Sequence, residues 1–354
     1  MANRIPEDHE AKQRRAAKRA HDDATRAKLT AHRGHATWGE RLVPLGDFAR
    51  ETQRYGRRLD ADGRDAAIAD YLAPRVDDAT PVEGSFRTAV VFGGVYSNYF
   101  AFDAVLAEAR ALGAEAVYCL GDLGGFGPEP EQIFPRMTDP DAAAGGGVRL
   151  VQGNYEQSLA GGAEDCNCGY ADPRDNHYAV ISYGYTARNC SDGFKRWMGE
   201  QPARRRVRIG DRTLLLIHGS PRRVNEVLFD STTPDAYLEV LCDQAQCDAV
   251  LCTHTGLAWH RRLPSGRDVV NVGVIGRPAN DGQTCVWYAV VRAPADADAP
   301  LGIEIRPLVY DHAGLAEAMR REALPAPFIE TILTGWWTTC LEILPARERA
   351  DSRF

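Results

Sequence analysis

Short apolar runs, each followed by a small-residue turn, recur along the middle of the chain. Arg87–Phe92, Ala116–Leu120, Val148–Val151, Thr213–Ile217 and Ala249–Cys252 are four to six residues long and mostly aliphatic or β-branched, which is the pattern of strands buried on both faces. Between the first two, Ala101, Val105, Leu106, Ala109 and Leu112 share one face of a helix that Gly113 ends. Downstream the pattern predicts a helix around Asp192–Gly199, a strand and turn over Asp268–Pro278, and strands at Cys285–Val291 and Ile303–Val309 that extend a second sheet. The tail turns helical, over Ala313–Glu322 and Pro327–Leu344. The second stretch carries Phe328, Ile332, Leu333, Trp336, Trp337 and Leu341. A stripe that wide must be covered, by the chain's own core or by a second copy in a homo-oligomer.

Residues 1–85 read differently, being rich in Arg, Lys and Asp. Ala11–Leu29 has helix composition with an apolar stripe made mostly of Ala, the mark of a solvated helix. Asp62–Leu72 forms a second helical stretch, closed by Ala73-Pro74 and expected to pack against the core. The chain therefore divides into a charged, largely helical extension (1–85), a core (86–310) and a helical C-terminal extension (311–354).

Composition narrows the class. With 44% hydrophobic residues in 354, a full-sized core can form, and a formal net charge of −7 argues against a general nucleic-acid surface. The basic cluster Lys12, Arg14, Arg15, Lys18 and Arg19 is diluted by Asp22 and Asp23. The opening residues lack the apolar stretch of a secretory signal and no run is long enough to cross a bilayer, so a cytoplasmic protein is expected. Nine cysteines are too scattered for a disulfide framework, and Cys119, Cys252 and Cys285 lie in apolar runs. Cys166-Asn-Cys168 sits instead in the polar insertion Glu164–His177. There it shapes a loop, serves as a redox pair or supplies thiolates. The aromatics of Tyr178–Tyr185 are expected to pack in the core or to wall a pocket.

The chemistry lies at the ends of the apolar runs. Gly121-Asp122, Gly153-Asn154, His218-Gly219 and Thr253-His254-Thr255 offer one carboxylate, one amide and two imidazoles, a complete shell for one divalent metal. The carboxyl ends of strands are where open α/β sheets bind ligands.

The order and setting of these segments resemble the calcineurin-like metallophosphoesterase family over residues 86–310, especially its small bacterial phosphodiesterase and diadenosine-tetraphosphatase-like branch. The Gly- and Pro-rich continuation Leu123–Pro130 and the turn His218-Gly219-Ser220-Pro221 strengthen the likeness. The resemblance implies a four-layer α/β/β/α sandwich and metal-dependent hydrolysis of a small-molecule or nucleotide phosphate ester, with no membrane partner. It implies Asp122, Asn154, His218 and His254 as metal ligands. A register shifted by one at the last motif would place Thr253 and Thr255 on the ligand positions, and His260 lies near enough to return to the site.

The departures from the family fall on one side. Its first turn reads Asp-x-His-(Gly/Ser)-Asn, whereas this chain has Gly94-Val95-Tyr96-Ser97-Asn98. Its last His pair ends here at Gly256, and Tyr155 stands where a leaving-group histidine is expected. One metal rather than two is the expectation: iron or manganese first, with zinc, cobalt or nickel also suited. Tyr155 and Tyr96 are candidate hydrogen-bond donors to the phosphoryl group, because a phenol with an ordinary pKa of about 10 keeps its proton at neutral pH. Asn98, Arg222, Arg223 and Arg277 are candidate substrate contacts. Two alternatives share the scaffold: a mononuclear non-haem iron enzyme of redox or lyase type, and a non-catalytic nucleotide- or metal-binding module.

Overall fold

Strand alternation sorts the core into two layers. The computed structural model describes residues 35–38, 41–44 and 80–350, apart from 144, 169, 171, 297 and 298. The expected helices at Ala11–Leu29 and Asp62–Leu72 lie outside the described residues. Chain contacts divide the protein into two units, Met1–Ala73 and Pro74–Phe354. In the first, β1 (His35–Trp38) and β2 (Arg41–Pro44) pair antiparallel.

The second unit runs β3 (Val82–Phe86), β4 (Thr88–Phe92), α1 (Tyr99–Ala111), β5 (Ala116–Cys119), α2 (Ile133–Thr138), β6 (Val148–Leu150), α3 (Asn154–Ala160), α4 (Pro173–Asn189) and α5 (Asp192–Gly199). It continues β7 (Arg204–Ile209), β8 (Arg212–Ile217), α6 (Asp235–Ala245), β9 (Ala249–Cys252), β10 (Trp259–Arg262), β11 (Asp268–Asn271), β12 (Val286–Arg292) and β13 (Gly302–Leu308), ending in α7 (His312–Arg321), α8 (Ala326–Thr334) and α9 (Ala346–Ala350).

One mixed sheet has the order β10-β11-β9-β8-β7-β3 and the other β13-β12-β4-β5-β6. In β4, Ala89 and Val91 point between the sheets, where they meet Val207, Leu214, Leu216, Leu251 and Val270 of the other sheet. Val90 and Phe92 point the other way, into a layer with Phe102 and Val105 of α1 and Leu315 and Met319 of α7. This period-2 division is what a strand buried on both faces requires. With α6 beside β9 on the far side, the result is a mixed α/β fold of two sheets flanked by helices, as the sequence led us to expect.

Asn98 caps α1: its Oδ1 accepts from the Ala101 N–H at 3.0 Å and its Nδ2 donates to the Ile275 carbonyl at 3.0 Å. That locks the β4–α1 turn to the loop after β11. Two elements differ from the pattern-based expectation. The polar insertion gives way at Asp172 to a 17-residue helix, α4, whose first turn is capped by Asp172 with Pro173 at the first helical position. The expected Pro327–Leu344 helix stops at Thr334, because Gly335 takes a left-handed conformation (φ 75°) and ends it. Its aromatic stripe then divides. Phe328 and Ile332 bury in the helical layer, while Trp337, beyond the turn, is fully buried with Nε1 donating to the Pro278 carbonyl at 2.6 Å.

The layer between β4 and α1 is anchored by Phe92 and Phe102, perpendicular rings 5.7 Å apart and both fully buried. Phe102→Ala is expected to lower unfolding free energy by about 3–5 kcal/mol in urea denaturation; a loss below about 1 kcal/mol would show that this layer does not bear on stability.

Candidate metal centre

Three loops at the carboxyl ends of β4, β5 and β6 are bonded to one another. The Gly94, Tyr96 and Ser97 N–H groups donate to the Gly121, Asp122 and Leu123 carbonyls at 2.9, 3.0 and 2.7 Å. The β5 and β6 loops approach so closely that a Cβ on Gly121 would lie 2.3 Å from the Gly153 nitrogen, and one on Gly153 would lie 2.4 Å from Asp122 Oδ1. Only glycine fits at either position. Glu156, fully buried in the first turn of α3, accepts from the N–H groups of Asp122 (2.8 Å), Leu123 (2.8 Å) and Gly153 (2.6 Å). Burial, then the charge of Asp122, raises its carboxyl pKa. Tyr96, Ser97, Asp122 and His254 all have positive φ (48°, 58°, 55° and 67°). Such backbone strain concentrates where surrounding bonds hold functional side chains in place.

The β5 loop and the ends of β8 and β9 deliver a converging set of donors. Asp122, His218 and His254 each offer a ligand atom within 4.8 Å of the others. His218 Nε2 stands 3.3 Å from Asp122 Oδ2 and 3.0 Å from His254 Nδ1. The other nitrogen of His218 meets the Leu120 carbonyl at 2.6 Å; since a carbonyl only accepts, Nδ1 carries the proton and the Nε2 lone pair faces the centre. Lone pairs that face one another at these distances repel unless a proton or a metal ion lies between them. Burial disfavours charge on both partners. The imidazoles and the Tyr155 N–H nevertheless hold the Asp122 carboxyl below its ordinary range, and Asp122 raises the pKa of His218. Asn154 stands next to Tyr155, whose N–H meets Asp122. The Asn154 Nδ2 donates to the Cys166 carbonyl at 2.8 Å and approaches Cys168 Sγ at 3.5 Å, which leaves Oδ1 buried without a partner. A buried carbonyl oxygen without a hydrogen-bond partner is a donor that a divalent cation would satisfy.

The other side offers no such set. A Cβ on Gly94 would lie 2.2 Å from Val274 Cγ1, so that position has no room for a side chain as well as no ligand atom. A Cβ on Gly256 would meet the Trp337 ring at 3.0 Å and Arg277 Nη2 at 3.6 Å. Tyr96 packs its ring over Gly276 and is buried. Burial raises its phenol pKa, against the opposing pull of Arg277, so the hydroxyl stays protonated and is no phenolate ligand.

Several candidate residues turn out to be engaged elsewhere. Tyr155 donates its backbone N–H to Asp122 Oδ1 at 3.1 Å, while its hydroxyl bonds Ser182 Oγ of α4 at 3.0 Å. Burial raises the pKa of this phenol as well. Asn98 is the cap of α1, its Oδ1 bonded there and its Nδ2 to the Ile275 carbonyl. Arg222 is buried against Glu226 (3.0 Å) and the Tyr237 hydroxyl (2.9 Å), which gives it a structural role in the turn after His218. Arg223 follows on the same turn, half-buried. His260 lies on β10 and pairs with Asp268 at 2.8 Å, away from the centre. Cys166 and Cys168 are joined as a disulfide, and the other seven cysteines are free.

The sequence reading missed Glu156, although Gly153-x-x-Glu156 has the spacing of a capping box. It also missed Ser182 and Thr186, which accept from the Phe126 and Gly125 N–H groups at 2.7 and 3.0 Å. Nothing in a linear pattern marks them.

Residues 89–293, more than half of the chain, match the calcineurin-like phosphoesterase superfamily domain. The chain belongs to that superfamily. It is thereby a hydrolase of phosphate esters in a metal-dependent family, with Asp122, His218 and His254 as a possible metal site. Its fold is similar to a metallophosphoesterase from Sphaerobacter thermophilus, at 20% identity and a TM-score of 0.53, covering 71% of this chain and 99% of that one. It is also similar to a hypothetical protein from Pyrococcus horikoshii OT3, at 20% identity and a TM-score of 0.59, with the same coverage. No curated protein matches. Among the described residues no helix is long and apolar enough to cross a membrane.

Glu156→Gln keeps the shape of the clamp but replaces one of its two accepting oxygens with an NH2 donor, leaving at least one of three buried N–H groups without an acceptor. It is expected to lower stability by about 2–4 kcal/mol and metal affinity by about ten- to a hundredfold, read by urea denaturation and by competition with a chromophoric chelator. Unchanged affinity would mean that the clamp does not position Asp122.

Proposed function

We propose that this phosphoesterase works with a single divalent ion held by Asp122, Asn154, His218 and His254. The observation that supports it most strongly is the asymmetry of the site. Asp122, His218 and His254 bring ligand atoms together on one side, with the buried, unpartnered Oδ1 of Asn154 on the adjoining loop, while on the other Gly94 and Gly256 carry no ligand atom and a side chain at Gly94 would collide with Val274. The donor set suits iron or manganese, and accommodates zinc, cobalt or nickel. When bound, such an ion supplies Lewis acidity, acidifying water and drawing charge from a phosphoryl oxygen.

The chain's own residues do the rest. His218 is oriented by its bond to Leu120, and Asp122 by the Tyr155 N–H, so that neither must reorganise as charge develops. Tyr96, protonated and next to Asp122, donates a hydrogen bond to a phosphoryl oxygen. Tyr155, first read as a second donor, serves through its backbone, with its hydroxyl held by Ser182. Arg223, on the turn after His218, is a rim contact for an anionic substrate. That substrate is a small-molecule or nucleotide phosphate ester. A second reading, iron redox chemistry, is favoured by one observation: two His and one Asp are the donors of many mononuclear iron oxygenases.

Hydrolysis of bis(4-nitrophenyl) phosphate separates the two. With manganese or iron supplied, turnover is expected, falling at least about a hundredfold in His254→Ala. Tyr96→Phe is expected to lower kcat by about tenfold or more with little change in KM. Turnover indifferent to His254 would end the single-ion reading. No turnover with any divalent ion, together with oxygen-sensitive iron, would favour the redox one.

A further inference from the structure

Arg277 is a buried cation without an anion. Its side chain is 95% shielded from solvent, since the residue is 5% exposed, and among the described residues no carboxylate lies within ion-pair distance of it. Its guanidinium carbon sits 3.6 Å from the centre of the Trp337 ring and 5.7 Å from those of Tyr96 and Phe126. Cys340 and Tyr170 lie near it, and its Nε has no partner. Stacking on an indole offsets part of the desolvation of a guanidinium, but it leaves the in-plane N–H groups wanting acceptors.

The location gives that cation a use. Nη2 lies 3.6 Å from where a Cβ of Gly256 would be, two residues beyond His254, and the guanidinium faces the ring of Tyr96, whose hydroxyl feels both Arg277 and Asp122. Gly94, Tyr96 and Gly256 are also the three positions where the sequence departs from the family's other cation site. We propose that the Arg277 guanidinium is a fixed, protein-borne positive charge in place of a second metal ion. Together with the Tyr96 hydroxyl it forms a subsite that binds the phosphoryl oxygens of the substrate. This deepens the phosphoesterase reading and rests on it for the choice of phosphate as the anion. The planar fork pairs with two oxygens of a tetrahedral anion, and the wall formed by Trp337 fixes its plane.

Because this charge belongs to the chain, phosphate binding survives removal of metal. The test is titration calorimetry of inorganic phosphate into chelator-treated protein at constant ionic strength. Wild type is expected to bind. Arg277→Met, which keeps the stack on Trp337, is expected to lose at least about tenfold in affinity, with Arg277→Lys between the two. Should Arg277→Met not fold, wild type alone decides: phosphate must raise its thermal midpoint above that in chloride of equal ionic strength. Absence of that rise, or phosphate affinity in Arg277→Met equal to wild type, overturns the proposal. Hydrolysis that depends on His254 but is accompanied by Arg277-independent phosphate binding would leave the phosphoesterase reading standing and remove this one. Arg277-dependent binding without hydrolysis would do the reverse.

Discussion

The carboxylate of Glu156 gathers three buried N–H groups from two loops, and the geometry of the site follows from that clamp. Asp122 and Leu123 come from the β5 loop and Gly153 from the β6 loop. Without an acceptor between them these donors would repel and the loops would part. With it, Asp122 is held at a positive φ that few non-glycine residues adopt, and its Oδ1 receives the Tyr155 N–H from the start of α3. Gly121 and Gly153 are the corresponding steric condition, since any side chain at either would push the loops apart. A group that binds nothing itself thus determines where the metal-facing carboxylate points.

Around that clamp the charge is arranged in two halves. On one side Asp122, His218 and His254 bring ligand atoms together, with the Asn154 carbonyl on the adjoining loop as the proposed fourth donor. On the other, Tyr96, Trp337 and Val274 close the space that a second ligand set would need, and Arg277 brings a permanent positive charge beside it. A two-metal site stabilises the attacking and leaving oxygens of a phosphoryl transfer symmetrically. A site with one divalent ion and one guanidinium, as proposed, would do so asymmetrically, with one of its three positive charges independent of metal supply. Family membership sets the reaction class, and the proposed asymmetry would set this chain apart within it.

Much of the fold could be read before the structure was known, and for a physical reason. The strands that carry the site are buried on both faces, so their apolar runs are uninterrupted; β4, β5, β6 and β9 fall within the expected segments and β8 begins one residue early. Two strands with charged, partly exposed positions were not legible, although β13, also partly exposed, was. β7 reads Arg204-Arg-Arg-Val-Arg-Ile209, with its signal diluted by arginines at partly exposed positions, and β10, Trp259-His-Arg-Arg262, is similar. The C-terminal helix was drawn too long because a period of 3.6 continues through Trp336 and Trp337, whereas Gly335 decides where the helix ends. At the site, ligands at strand ends were visible as types and spacings. The partners that orient them were not, because Ser182, Thr186 and Trp337 act from elements far away in sequence. Arg222 illustrates the converse: an Arg pair next to a ligand histidine suggests an anion site, yet one of the two is buried against Glu226 and Tyr237.

The central claim is that one ion is held on one side of the pocket and a guanidinium stands on the other. Anomalous diffraction from crystals of the metal-loaded protein, recorded at the absorption edge of the bound metal, tests this most directly. The account expects a single peak within bonding distance of Asp122, Asn154, His218 and His254, and none between Tyr96 and Arg277. Two peaks a few ångströms apart, or one peak displaced toward Gly94 and Gly256, would contradict it.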